Sequence, residues 1–320
     1  IVDEQLVKVL LESLNWQRGQ QSDYSGCWDE REQVVLAIGS CVNHGSLRDA
    51  EECLVSAMER VVSCLDAFVK NHRLGNVIQV VGDFSRLLGS KMGGQEETIL
   101  QVIYPTLVGL GEDQKEYSRL DPDEVASCLE CLGDLAIAVG PSFDPHIQQA
   151  VPNILQAVEF YAGQNHPNIT PILVNGIHAL TGIVHSVVDH DVPHEDSSLF
   201  HQFDSIMKIV KLIAVLPPYY RSEEVKIRLL SLVYDLLQTQ FAGPNGDIME
   251  TFEISMLVSE AEQDVSEGHA PAELVSILEA ISEFGDDSDE APVHEGEGGS
   301  EGMLDVIDEN TDDDRFRSIG

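Results

Sequence analysis

A short phrase, Gly-Asp followed by mostly apolar residues and a closing glycine, occurs twice in this chain, at 82–89 and 133–140. A phosphate-binding loop would place its glycines before the start of a helix. Here the Gly-Asp pair lies inside a segment of helical period, and the closing glycine lies where that pattern stops. The phrase therefore predicts a structural repeat in which the first glycines allow close helix packing and the aspartates bond to a neighbouring unit. The residues concerned are Gly82, Asp83, Gly133 and Asp134.

Segments of helical period recur in pairs along most of the chain. In 121–163, apolar residues recur at i, i+3, i+4 and i+7, Asp121-Pro122 can start the first helix, and Gly140-Pro141 can end it. We expect Pro152 to kink or break the second helix early. The segment 48–69 has the period of one second helix. First helices are centred on Gly39, Gly82, Gly133, Gly176 and Tyr234.

This spacing is close to the roughly 40–47 residues of a HEAT-type helix pair, with loop insertions. Alternating apolar and polar residues, which would indicate strands, are not found. The sequence thus predicts an all-α HEAT-repeat solenoid of about five to six helix pairs over residues 1–284. Residues 285–320 are rich in Gly, Asp, Glu and Ser, and we expect them to form a disordered acidic tail.

The net charge indicates which classes of partner the chain can attract. The net charge is −38, and residues 229–314 contain 24 acidic residues and neither Lys nor Arg. Such a field repels nucleic acid and anionic membranes and attracts basic proteins. The apolar run at 206–216 is short and contains two lysines, so we expect no membrane span. The chain begins at Ile1 without Met, which suggests a piece of a longer protein.

No constellation in the sequence predicts catalysis or a cofactor. Cys128-x-x-Cys131 is half of a zinc motif without a second pair at a suitable distance, so buried, reduced core cysteines are the favoured interpretation. A His-rich stretch between two helices could bind a metal, but its spacing fits no compact site and favours a solvated turn. Its histidines are His185, His190, His194 and His201.

Binding by a surface is the function that remains. In a helix-pair solenoid the second helices usually line the concave face, where carboxylates would focus a negative field on a basic segment. The alternative is that these acids form an ordinary solvated surface. The candidate cargo-binding residues are Glu96, Glu97, Asp144, Glu159, Asp204, Glu250, Glu253, Glu260, Glu262 and Asp264.

Several segments resemble the importin-β family of nuclear transport receptors, in its C-terminal portion. The segment CLECLGDLAIAVGPSFDPHIQQAVPNILQAV is similar to one repeat of that family, and VVGDFSRLLG is similar to the preceding one. VNGIHALTGIVHSVV, SIMKIVKLIAV and VKIRLLSLVYDLL resemble later repeats in the same order. Two departures are the positions of both tryptophans near the start, Trp16 and Trp28, and the acidic segment from 285.

The resemblance implies a non-catalytic receptor that shuttles between cytoplasm and nucleus through the nuclear pore. Its partners would be a basic adaptor helix or basic cargo, held by the acids named above, and the Phe-Gly repeats of nucleoporins between first helices. Ran GTPase would bind mainly through a part of the protein that precedes this chain. A HEAT-repeat scaffold subunit of a multiprotein complex is the alternative function, and a metal-dependent enzyme is a more distant one.

Overall fold

The computed structural model describes residues 4–13, 26–43, 51–92, 94–109, 121–164, 166–188, 197–239, 248 and 251–286. Within these ranges the regular elements are helices, which confirms the all-α prediction. The α-helices are α1 Glu4–Ser13, α2 Gly26–Asn43, α3 Glu51–Val62, α4 Leu65–Lys70, α5 Leu74–Leu88, α6 Glu96–Val108, α7 Pro122–Val139, α8 Asp144–Gly163, α9 Ile169–Val188, α10 Ser198–Ala214, α11 Glu223–Gln238, α12 Phe252–Ser266 and α13 Ala272–Asp286. Of the predicted disordered tail, 285–320, the first two residues belong to α13, and 287–320 lies outside the described residues.

The helices stack in two rows. In the first-helix row, consecutive members of α2, α5, α7, α9, α11 and α13 contact each other. In the second-helix row, the same holds for α4, α6, α8, α10 and α12. Between the rows, α4 contacts α5, α6 contacts α7 and α8 contacts α9. Helices thus pack against neighbours in their own row and in the other row, which is the packing of an α-solenoid.

Local sequence signals set the helix ends. The Asp121 side chain accepts a hydrogen bond from the Asp123 backbone N–H at 3.0 Å, and Pro122 follows as the first residue of α7. Ser222 caps α11 in the same way. The closing glycines of the repeated phrase, Gly89 and Gly140, end α5 and α7 with φ of 54° and 62°. These positive φ values favour glycine, so the second half of the phrase is a helix stop.

Of the kink or break expected at Pro152, the break is wrong, since α8 runs through this proline as one helix, and the kink stays a prediction. The ring of Pro152 lies on an exposed face of the helix. At such a position, water can bond to the carbonyl of Gln148 that would otherwise accept a hydrogen bond from residue 152. Packing of the opposite face, through Val151, Ile154 and Val158, holds the helix together.

Residues 51–70 form two helices, α3 and α4, where the sequence pattern of 48–69 predicts one. The turn between α3 and α4 lies at Ser63 and Cys64, where the Cys64 N–H donates to the Val61 carbonyl at 3.0 Å. The Ser63 hydroxyl donates to the Arg60 carbonyl at 2.7 Å. A serine that bonds to its own backbone in this way competes with helix propagation, and here it accompanies the end of α3.

The apolar residues of the sequence pattern form one continuous core between the rows. Within the described residues, the stretch 122–163 is long and apolar enough to cross a bilayer, by length and composition only. In the structure it is two helices, α7 and α8, joined by a 3-10 turn at Gly140–Phe143. Because 61% of the apolar window is buried within the stack, core packing accounts for its hydropathy.

Candidate protein-binding site

Glycines make the centre of the first-helix row unusually close-packed. A Cβ atom added at Gly82 would lie 2.7 Å from the Asp134 carboxylate, and one at Gly133 would lie 2.8 Å from the His178 carbonyl oxygen. One added at Gly182 would lie 2.4 Å from the Gly133 carbonyl oxygen. The glycines thus lie where α5, α7 and α9 are in backbone contact, a position suited to helix packing and not to a ligand.

The aspartates of the repeated phrase belong to one polar network between α5, α7 and α9. Asp134 is 2% exposed, and its carboxylate accepts a hydrogen bond from Arg86 at 2.9 Å. Nε2 of His178 lies 3.1 Å from the same carboxylate and donates to it in the tautomer that carries its proton on Nε2. Arg86 also pairs with Asp83. Burial would lower the pKa of Arg86, but the charges of Asp134 and Asp83 raise it, so the guanidinium stays charged.

The half-motif cysteines lie inside the core. Cys128 and Cys131 are fully buried on α7 as free thiols, and burial raises the pKa of both, which keeps them protonated. Among the described residues there is no group of three His, Cys, Asp or Glu that could hold a metal ion. His185 pairs with Asp235 at 3.2 Å. His190 and His194 lie outside the described residues.

Four of the acids predicted to bind cargo already form hydrogen bonds or ion pairs with other residues of this chain. Asp144 accepts hydrogen bonds from the Ser197 hydroxyl at 3.2 Å and the Ser198 N–H at 3.0 Å, where α10 begins. Glu159 pairs with Lys208 at 2.6 Å, which joins α8 to α10. The other two, Glu260 and Asp264 on α12, pair with basic residues of the preceding segment.

The α12 pairs are close and partly buried. Lys226 contacts Glu260 at 2.9 Å and Asp264 at 2.7 Å, and Arg221, only 7% exposed, contacts Glu260 at 2.7 Å. Both cations come from α11 or the turn before it, so the contacts hold a second helix to its own pair. A basic partner would have to displace them. The structure therefore favours a structural role for Glu260 and Asp264.

Other predicted acids remain open to solvent on the second-helix row. Glu97, Asp204 and Glu262 are exposed, and Glu96 and Glu253 are half-buried. No ion pair with another described residue is found for these five side chains. They lie on α6, α10 and α12, while the predicted acids of α8 are those engaged above. Glu250 lies outside the described residues.

The sequence interpretation missed an exposed apolar pair beside these acids. Phe252 is 71% exposed and Met256 is 44% exposed, and both lie on α12 four residues apart, on one face. The helical period of the apolar residues in α12 is the sequence signal that could have shown that these two positions lie off its buried face. The core of α12 is formed by Ile254, Leu257 and Ala261, which places positions 252 and 256 outside it.

Two grooves separate neighbouring helices. One, of about 360 Å³, lies between α6 and α8 in the second-helix row. It is lined by Glu97, Leu100, Gln101, Tyr104, Pro105, Val108, His146, Gln149 and Asn153.

The other groove, of about 670 Å³, lies between α9 and α11 at the first-helix row. It opens where the glycine contacts end, because α11 contains no glycine and cannot approach α9 as α7 does. It is lined by Ile177, His178, Thr181, Glu223, Glu224, Ile227, Arg228, Ser231, Pro271 and Glu273.

Comparisons with known proteins agree with this architecture. A crystal structure of importin β obtained in an ammonium sulfate condition superimposes with a TM-score of 0.64, at 18% sequence identity, over 88% of this chain. The chain spans 30% of the length of that importin β. A search of curated protein sequences found no significant match. A family model described as importin subunit beta-1-like, TPR repeats, matches residues 6–263. The chain therefore belongs to the importin subunit beta-1-like family, as the resemblance of its repeats predicted.

Proposed function

We propose that this chain is part of a nuclear transport receptor that holds a basic adaptor helix or basic cargo against its second-helix row. The observation that carries the proposal is the set of open carboxylates on α6, α10 and α12, in a chain of the importin-β type. That family consists of transport receptors that act by binding and not by catalysis. A receptor of this kind would move between cytoplasm and nucleus through the nuclear pore.

Charge and apolar surface together suggest the form of the partner. A net charge of −38 draws a basic segment toward the protein over long range. Phe252 and Met256 lie next to Glu253 on α12, so this helix presents apolar and acidic contacts side by side. An amphipathic helix with a basic and an apolar face is complementary to such a surface.

The proposal predicts salt-sensitive binding of a basic amphipathic helix. We would titrate a labelled peptide of this type at about 50 mM and about 300 mM salt, because screening shortens the range of these charges over that interval. We expect tight binding that weakens at least about tenfold at the higher salt. A peptide with glutamine in place of its lysines and arginines is the control. Absence of binding at low salt would contradict the proposal and favour the scaffold alternative.

Neutralising the open acids tests where the peptide binds. Changing three of them together to their amides should weaken binding about tenfold or more, because charge-assisted contacts are lost. A control triple variant with the same change in net charge should have a smaller effect. The test set is Asp204→Asn, Glu253→Gln and Glu262→Gln, and the control set is Glu30→Gln, Glu59→Gln and Glu279→Gln. Equal effects of the two sets would mean that net charge alone attracts the peptide.

We further propose that the groove between α9 and α11 receives Phe-Gly repeats of nucleoporins. Ile227 and Pro271, both half-buried, supply apolar surface for a phenylalanine ring. Ran GTPase, in this proposal, binds mainly in a part of the receptor that this chain does not span. The size of the groove, about 670 Å³, leaves room for an aromatic side chain and adjoining backbone.

A matched pair of serines tests the Phe-Gly groove. Ser231 lines it, whereas Ser276 lies exposed on α13 outside it, and both hydroxyls bond to the carbonyl four residues earlier. We expect Ser231→Trp to fill the groove and weaken binding of a Phe-Gly peptide about tenfold. Ser276→Trp should leave the affinity unchanged. If both variants bind the peptide as the unaltered chain does, the groove is not its site.

A further inference from the structure

The groove between α6 and α8 has one acidic side chain, that of Glu97, among its lining residues, and neither Lys nor Arg. Side-chain amides of Gln101, Gln149 and Asn153 line the same space. Such a groove offers many hydrogen-bond acceptors and a negative charge. It is therefore suited to a cationic side chain that has several donors.

A proline adds a main-chain acceptor to this groove. Pro105 lies inside α6 and has no N–H, so the Gln101 carbonyl lacks the hydrogen bond that residue 105 would donate in a regular helix. Gln101 and Pro105 are both exposed, and both line the groove. Glu97, Gln101 and Pro105 are spaced by four, which places them on one face of α6. The Gln101 carbonyl and the Glu97 side chain thus belong to the same exposed face of α6.

Tyr104 forms the apolar side of the groove. Its ring is 7% exposed, and its hydroxyl donates to the His146 carbonyl at 3.4 Å, which joins α6 to α8. Burial, and then the charge of Glu97, raise the pKa of Tyr104 above its ordinary value, so the hydroxyl stays neutral. The negative charge in the groove is therefore that of Glu97, and the ring offers contact to an aliphatic stem.

We propose that this groove is a pocket for one arginine side chain of the basic partner, with its guanidinium between Glu97 and the Gln101 carbonyl. The inference rests on the proposed function and adds the residue type that the receptor prefers. A planar guanidinium has five donors and can bond to a carboxylate and a carbonyl together, whereas a lysine ammonium is a compact point charge. The preference at this groove is therefore for arginine over lysine.

The experiment compares hexa-arginine and hexa-lysine, both labelled, by fluorescence anisotropy on the full 320-residue chain. Glu97→Gln should weaken hexa-arginine about tenfold, because a charge-assisted hydrogen bond is lost. Glu279→Gln is the matched control. It removes the same charge from an exposed side chain on α13, in the first-helix row and outside the groove, and should change the affinity less than about twofold.

Pro105→Ala tests the main-chain acceptor. Alanine restores the N–H that closes on the Gln101 carbonyl, so we expect the preference for hexa-arginine over hexa-lysine to fall about threefold or more while α6 becomes more stable. Circular dichroism and thermal unfolding check that each variant remains folded.

The outcomes separate this proposal from the proposed function. If neither peptide binds the unaltered chain at low salt, the basic-partner function itself is contradicted. If both peptides bind but Glu97→Gln and Glu279→Gln have equal effects, or arginine is not preferred over lysine, the pocket is contradicted while the general function stands.

Discussion

Replacing Gly182 by alanine is expected to lower the free energy of unfolding by about 3 kcal/mol, because the added Cβ has no room. The added Cβ would lie 2.4 Å from the Gly133 carbonyl oxygen and 2.9 Å from the Gly133 carbonyl carbon and Cα. All three are backbone atoms, so no rotation of a side chain can make room. The helices α7 and α9 would have to separate, and the buried surface between them would lose its close packing.

Urea denaturation followed by circular dichroism measures this loss. Gly163→Ala is the control, since Gly163 ends α8 and a Cβ there meets nothing within 4 Å. We expect that variant to be neutral or up to about 1 kcal/mol more stable, because alanine is the better helix former. If Gly182→Ala unfolds at the same urea concentration as Gly163→Ala, the close approach of α7 and α9 is not what stabilises the stack.

Replacing Glu260 by alanine is expected to cost about 3 kcal/mol of stability, because it leaves buried positive charge without its partner. Arg221, 7% exposed, would keep its bond to the Leu216 carbonyl but lose its carboxylate, and Lys226 would keep only Asp264. Glu262→Ala on the same helix is the matched control. Its side chain is exposed, so its removal should change stability by less than about 0.5 kcal/mol.

The pH dependence of the stability difference tests whether loss of the Glu260 ion pairs causes it. Burial would raise the pKa of Glu260, but the hydrogen bond from Lys226 and the charges of Arg221 and Lys226 lower it below the ordinary value of 4.5. A carboxyl group with a lowered pKa in the folded state stabilises the fold above its unfolded pKa, and this contribution disappears as pH falls through the folded pKa. The difference between Glu260→Ala and the unaltered chain should thus be constant near neutral pH and shrink below 4.5. A difference that does not change with pH would mean that lost packing, not charge, destabilises the variant.

Much of the fold could be predicted because its signals are local. The Asp121-Pro122 start, the Gly140 stop and the 3.6-residue period act within one helix or its ends, so they can be seen without tertiary contacts. Pro152 and the break after Val62 could not be predicted in this way. Whether a proline or a serine ends a helix depends on how well the opposite face packs, and that is decided by residues distant in the sequence.

The same difference between local signals and contacts of distant residues applies to the candidate site. Sequence identified acids on or beside second helices, but it could not distinguish Glu97, which is open, from Glu260, which is paired. That distinction depends on whether a cation from another element comes within about 3 Å, as Lys226 does for Glu260. The groove beside Pro105 was likewise visible only when neighbouring helices were in place, whereas the position of Phe252 off the apolar face already follows from the period of α12.

By itself, the sequence determined the helix pairs, their order and the excess of negative charge, because each follows from residues close together in the chain or from a sum over it. Tertiary structure alone decided which glycines are packing contacts, which carboxylates are neutralised and where the grooves open. Each of these depends on distances of a few ångströms between residues some 34 to 54 positions apart, such as the 2.9 Å between Arg86 and Asp134. Packing of α7 against both α5 and α9 fixes those distances, because their glycines let the backbones meet.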